Sequence, residues 1–207
     1  MASHRLSGRH WKSRKKIARI QYMNTAIFQY LHGFADQSVC FDSIIIFCAQ
    51  YLSYIMIAVL GLFLIFGKDR KRELKMIFYA IAGVILSRLV IVEIIRYFYP
   101  VTRPFVVYQF TPLIYDYASS FPSGHAAFFF ALATIVFLFH KKWGIAYFLG
   151  AIIISISRIM AGVHWPMDIL GGILVSIGAA IVIFKFCERK QFFQILGVGA
   201  QNLRSKF

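Results

Sequence analysis

The chain has 207 residues, one domain's worth with room for a short appendage. Apolar residues make up 59% against roughly 45–50% in soluble domains, and they gather in long runs, which excludes an ordinary soluble globule. The formal charge of +15 does not mark a nucleic-acid binder, because most Lys and Arg flank the apolar runs instead of lining a soluble face.

Residues 1–20 are polar and basic, with Arg5, Arg9, Lys12, Arg14, Lys15, Lys16 and Arg19. No apolar run follows at once, so a cleaved signal is not expected, and the segment reads as a solvated or headgroup-binding arm. Met23 is an alternative start that would make residues 1–22 dispensable. Residues 22–38 place Ile27, Phe28, Leu31 and Phe34 on one helical face, the pattern of an amphipathic helix lying in the interface or re-entering it. Five stretches, about 44–66, 74–99, 122–140, 144–163 and 167–187, then meet the length rule for membrane spans. Backbone in hydrocarbon must satisfy its own hydrogen bonds, so these are helices and the fold class is an all-α integral membrane protein. The expected division is a basic tail over 1–22, a membrane domain over 23–190 and a C-terminal tail over 191–207. Cys40, Cys48 and Cys187 lack CxxC spacing and read as small apolar filler, not as disulfides or metal ligands.

Lys68, Arg70, Lys71, Arg72 and Lys75 follow the first span, Lys141 and Lys142 the third, and Arg189 and Lys190 the fifth. These three clusters share one side, which the positive-inside rule makes cytoplasmic. The 100–121 and 163–167 connections then share the opposite face. The basic N-terminal tail conflicts with five crossings, which put residue 43 outside; a sixth crossing by 22–38 would relieve this.

Arg96, Arg103, Ser123, His125, Arg158, His164 and Asp168 all fall near the two outward connections. Ionisable residues in or at the ends of spans are costly, so such a set points to function more than to snorkelling side chains. Three guanidiniums at one face ask for a multivalent anion, because Arg grips phosphate oxygens in pairs. Phe121-Pro122-Ser123-Gly124-His125 opens a helix whose first N–H groups face an oxyanion, with Ser123 also suited as its N-cap. His164 and Asp168 are four apart with Pro166 between, which places the carboxylate against the imidazole at a helix mouth. That partner fixes the tautomer and activates the other ring nitrogen, leaving His125 for proton transfer. Two His and an Asp also suit zinc, but three arginines would repel a dication, so no metal and no cofactor are expected. A Ser-His-Asp hydrolase is disfavoured because Ser123 does not sit in Gly-x-Ser-x-Gly.

These residues resemble the type 2 phosphatidic acid phosphatase (PAP2) superfamily, which carries the motifs Lys-x6-Arg-Pro, Pro-Ser-Gly-His and Ser-Arg-x5-His-x3-Asp. The first is present as Arg96 through Arg103-Pro104, with Arg in place of Lys; the second is Pro122–His125; the third is Ser157-Arg158, His164 and Asp168. The resemblance implies a PAP2-type helical bundle, His164 as nucleophile with Asp168 as its partner, and His125 protonating the leaving group. It also implies that Arg103, Arg158, Ser123 and Gly124 hold phosphate, with Arg96 at the variant position. The chain is most similar to bacterial undecaprenyl-diphosphate phosphatases of the bacitracin-resistance type, through Met23, Asn24, Ile27, Phe28, His32, Gly33, Asp42-Ser43 and Arg103-Pro104-Phe105. The expected substrate is a lipid phosphate or diphosphate, met among membrane lipids at the outer face of the cell membrane. The rivals are a phosphatidylglycerophosphate or phosphatidic acid phosphatase, a lipid phosphotransferase, and a transporter or structural membrane protein.

Overall fold

The computed structural model describes residues 3–189, with side chains from Arg14 onward; the expected C-terminal tail lies outside the described residues, as do the side chains of Arg5, Arg9 and Lys12. All regular structure among the described residues is helical. In chain order the helices are α1 (Ser3–His32), α2 (Val39–Phe66), α3 (Arg70–Phe98), α4 (Pro104–Tyr108), α5 (Gly124–Phe139), α6 (Lys141–Met160) and α7 (Pro166–Glu188). A π-helical turn interrupts α2 at Phe47–Tyr51 and α3 at Ile85–Ile91.

The helix starts follow local chemistry. Ser38 caps α2 by accepting the Phe41 N–H at 3.2 Å, and Asp69 caps α3 by accepting the Arg72 N–H. Ser123 caps α5, and Pro166 occupies the first turn of α7. The four helices α2, α3, α6 and α7 are long and apolar enough to cross a membrane. Helix α5 has only 16 residues, about 24 Å at 1.5 Å per residue. It is the buried centre of the bundle, packed against α6, α7 and α3, with Ala126, Ala127 and Phe129 to Val136 all buried. Lipid tails are as apolar as the core, so close packing has to hold such a bundle together. Ala126, Ala127, Ala131 and Ala133 of α5 and Ala179 and Ala180 of α7 are small enough to allow it. Large side chains such as Leu62, Ile65, Phe78, Ile81, Leu170 and Leu174 are left on the outside, as a lipid-facing surface requires.

The N-terminal expectation needs correction. The basic arm is not separate from the following helix: α1 runs unbroken from Ser3 to His32. It ends six residues before the expected limit, so Phe34 lies in the turn beyond it, and Ile27 is exposed while Phe28 is buried. The docked face is Asn24, Phe28, Leu31 and His32, because those side chains meet the site-side connections. Residues 14–23 are exposed.

The two ends of the bundle differ. At one end His140 meets Glu73 at 3.0 Å, Phe63 stacks on His140, and Lys75 pairs with Glu188 at 2.6 Å. The expected basic connections do share this end, with Lys68, Arg70, Lys71, Arg72, Lys141 and Lys142 exposed. At the other end the Leu113 N–H donates to Ala161 O and the Trp165 indole N–H to Thr102 O, so the 100–123 and 161–165 connections are laced together.

Candidate active site

Helix α7 sets the first pair. The Asp168 carboxylate, in the third position of the helix, accepts the Trp165 backbone N–H at 2.8 Å and so closes the helix start. The same oxygen, Oδ2, accepts from Ser120 Oγ and lies 3.4 Å from His164 Nδ1. A carboxylate can only accept, so Nδ1 carries the proton and the His164 Nε2 lone pair points away from Asp168. Nε2 is buried and has no hydrogen-bond partner among the described residues. Burial, and then the charges of Arg158 and Arg103, push the His164 imidazole well below its usual pKa, so it is neutral at neutral pH.

The arginines divide into two sets. Arg103 is spread over the connections: Nε donates to Ala118 O at 2.7 Å, Nη1 to Val163 O at 2.8 Å, and Nη2 pairs with Asp116 at 2.8 Å. Burial lowers its pKa and the Asp116 charge opposes that, which keeps a charge stable in a closed site. Arg158 pairs with the other oxygen of Asp116 at 3.0 Å and donates to His125 Nε2 at 3.3 Å. One carboxylate thus bridges Arg103 and Arg158, each of which is buried. Arg96 makes no ion pair with this bridge but lies within electrostatic reach of Asp116 and Arg103. It donates to Pro122 O at 3.1 Å and to Glu93 at 3.3 Å, bracing the turn that leads into α5.

That turn is tightly held. The Ser123 N–H donates to Asp168 O at 2.9 Å, which ties the start of α5 to α7. Ser123 Oγ accepts the Ala126 N–H at 3.4 Å, and the residue is fully buried. Gly124 and His125 carry the first N–H groups of α5, which have no carbonyl a turn earlier in the helix. A Cβ on Gly124 would run into the Arg88 guanidinium, so the missing side chain is what lets Arg88 approach.

Sequence reasoning placed His164, Asp168, His125, Arg103, Arg158, Ser123, Gly124 and Arg96 near one face, and the structure brings them to one end of the bundle. It missed Asp116, Ser120 and Arg88. Arg88 had a signal, since an arginine inside the apolar run Ile85–Ile91 is costly unless used. Asp116 and Ser120 sit in an irregular connection without periodicity, so only the fold reveals their partners.

A cavity of about 550 Å³ opens beside these residues. Arg88, Arg96, Asp116, His125 and Arg158 form its polar wall. Ile46, Ile57, Leu113, Phe128 and Phe129 form an apolar one, between α2 and α5.

Residues 74–192 match the family model of the PAP2 superfamily. The chain belongs to the PAP2 superfamily. Among curated proteins, it is 31% identical over 171 residues to undecaprenyl-diphosphatase BcrC of Bacillus subtilis (strain 168), covering 80% of this chain and 85% of that protein. It is 26% identical over 172 residues to the bacitracin transport permease protein BcrC of Bacillus licheniformis, covering 82% and 83%. Among solved structures, LpxE of Aquifex aeolicus superposes with a TM-score of 0.64 at 27% identity, over 79% of this chain and 95% of that one. The PAP2 match begins inside α3 and spans the whole site end of the bundle from Arg88 to Asp168.

Proposed function

We propose that this protein is a membrane lipid phosphatase that converts undecaprenyl diphosphate to undecaprenyl phosphate through a phosphohistidine. One observation carries the mechanism. A buried neutral imidazole, steadied by a carboxylate at Nδ1, keeps Nε2 unpartnered near two arginines that share a single carboxylate.

Arg103 and Arg158 hold the terminal phosphate in place of Asp116, with the first N–H groups of α5 and Ser123-Gly124 alongside. His164 Nε2 attacks phosphorus in line, and the donors stabilise the charge on the equatorial oxygens. Asp168, held by Ser120 and the Trp165 N–H, keeps the proton on Nδ1 throughout. In the resting arrangement Arg158 donates to His125 Nε2, so that nitrogen is unprotonated. When substrate draws Arg158 onto its oxygens, Nε2 is released; it can take up a proton that the bound phosphate brings, pass it to an alkoxide leaving group, and take one from water when the phosphohistidine is cleaved. No step calls for a metal. Arg96, which braces the Pro122–Gly124 turn, adds its charge to this phosphate position.

The apolar wall between α2 and α5 receives the lipid chain. In this reading α5 also crosses, third in chain order and making five crossings with the four long helices; the basic connections lie in the cytoplasm, and the active site faces the extracytoplasmic side of the cell membrane. The N-terminal boundary falls at Met23, ahead of the first docked residue. The name of the B. licheniformis relative raises transport as a second reading, but a buried His–Asp pair with an aimed lone pair serves catalysis and has no use in a permeation path.

The test is phosphate release by the purified protein in detergent from undecaprenyl diphosphate, phosphatidylglycerophosphate and phosphatidic acid, with excess EDTA present. Turnover highest on the diphosphate and unaffected by EDTA is expected. A strict requirement for Mg²⁺ or Zn²⁺ contradicts the metal-free mechanism, and preference for either monoester contradicts the substrate.

A further inference from the structure

Two carboxylates at this end of the bundle each hold a pair of arginines. Asp116 bridges Arg103 and Arg158 beside His164. Glu93 bridges Arg88 and Arg96 on the far side of the Pro122–Gly124 turn. The first pair is the phosphate position already described. Arg88 has no part in the mechanism above, yet it lines the same cavity as Arg96, His125, Gly124 and Arg158. Arg96 is buried and its Nε has no hydrogen-bond partner among the described residues. Arg88 is carried on the π-helical turn of α3, and such turns often mark functional sites because they re-aim a side chain. The absent side chain at Gly124 lets it close on the start of α5. Glu93 is exposed, so its carboxylate can turn to solvent when another anion arrives.

We propose that Arg88 forms a second anion subsite that holds the lipid-proximal phosphate of a diphosphate substrate, Glu93 marking that phosphate as Asp116 marks the terminal one. The inference rests on the diphosphate reading above and deepens it. The step balances without an added proton. The His164 Nε2–P bond forms, the bond from the terminal phosphorus to the bridging oxygen breaks, and its electron pair stays on that oxygen. The leaving group departs as a lipid monophosphate, its added charge met by the Arg88 guanidinium. A monophosphate ester puts no phosphate at this subsite, and its alkoxide depends on the proton from His125. Arg88 is therefore a determinant of diphosphate specificity, and His125 bears most on monoesters.

The experiment compares kcat/KM of the full-length protein for a prenyl diphosphate and for the prenyl monophosphate of the same chain length. The variants are Arg88→Gln and Glu93→Gln. Arg88→Gln is expected to lower the diphosphate-to-monophosphate ratio by about tenfold or more, the scale of one lost charge-assisted contact. Glu93→Gln is expected to lower KM for the diphosphate and not for the monophosphate, and it reads out the subsite even if Arg88→Gln misfolds. If wild type prefers the diphosphate and neither variant moves the ratio, the subsite is wrong and the substrate stands. If wild type shows no preference for the diphosphate, the substrate reading falls and the subsite with it.

Discussion

Asp116 gives one carboxylate oxygen to Arg103 and the other to Arg158, which is the grip two arginines would take on a phosphate. In the proposed mechanism the carboxylate keeps two buried guanidiniums neutralised and aimed, and an incoming phosphate displaces it. Its negative charge therefore competes with the ligand. Asp116→Asn keeps the side-chain shape and removes the charge. It is expected to bind orthovanadate and orthophosphate several-fold more tightly, read as competitive inhibition constants. Weaker inhibition by both anions would show instead that Asp116 orients the arginines during catalysis. Ser120 acts on the other carboxylate of the site. Its hydroxyl donates to Asp168 and fixes the oxygen that faces His164.

At the scale of elements, α1 shows which part of the chain supports the site. Asn24 Oδ1 accepts the Met167 N–H at 3.0 Å, so the start of α7 is capped from α1. Phe28 packs on Trp165 and Tyr108, and His32 Nδ1 meets Met160 O at 2.8 Å. The chain reverses beyond α6 at Gly162, whose φ of +83° suits glycine, and a Cβ there would strike Phe110 and His32. These contacts of α1 with the site end, through Asn24, Phe28 and His32, all lie within residues 24–32. Removing residues 1–22 is expected to leave turnover within about twofold, since surface changes away from special features usually cost little. A truncated protein that inserts and stays monodisperse but loses turnover would give the exposed half of α1 a catalytic part. The long spans were legible from their apolar runs, and the starts of α5 and α7 from Pro122-Ser123 and Pro166, because capping is local chemistry. The end of α1 was not legible: its buried face is chosen by Trp165, Tyr108 and Met160, which are distant in sequence. Arg88 escaped for a related reason, since a π-helical turn shifts which side of α3 a residue faces, and no 3.6-residue period announces it.

The whole molecule is arranged from one end to the other. Exposed lysines and arginines crowd the end where α2 meets α3 and α5 meets α6. The opposite end carries the site and a ring of exposed aromatics, with Tyr30, Tyr97, Phe98, Tyr99, Tyr115 and Tyr117. Aromatic rings at one bilayer boundary and cations at the opposite face are the asymmetry that underlies the proposed orientation. A single cysteine introduced at Gln109, an exposed position with left-handed backbone at the end of α4, reports the orientation once Cys40, Cys48 and Cys187 are replaced. An impermeant maleimide is expected to label it in intact cells. Labelling only after lysis would turn the protein over in the membrane and place its active site in the cytoplasm.

His164 Nε2 is the attacking atom of the proposed mechanism, and rapid quench with substrate labelled with ³²P in the terminal phosphate tests that directly. The expected result is protein-bound label that is acid-labile and base-stable, formed within the first turnover. It should be absent in His164→Ala, which should also lose turnover, and much slower to form in Asp168→Asn. No protein-bound label at any time, together with near-normal turnover by His164→Ala, would contradict the covalent mechanism.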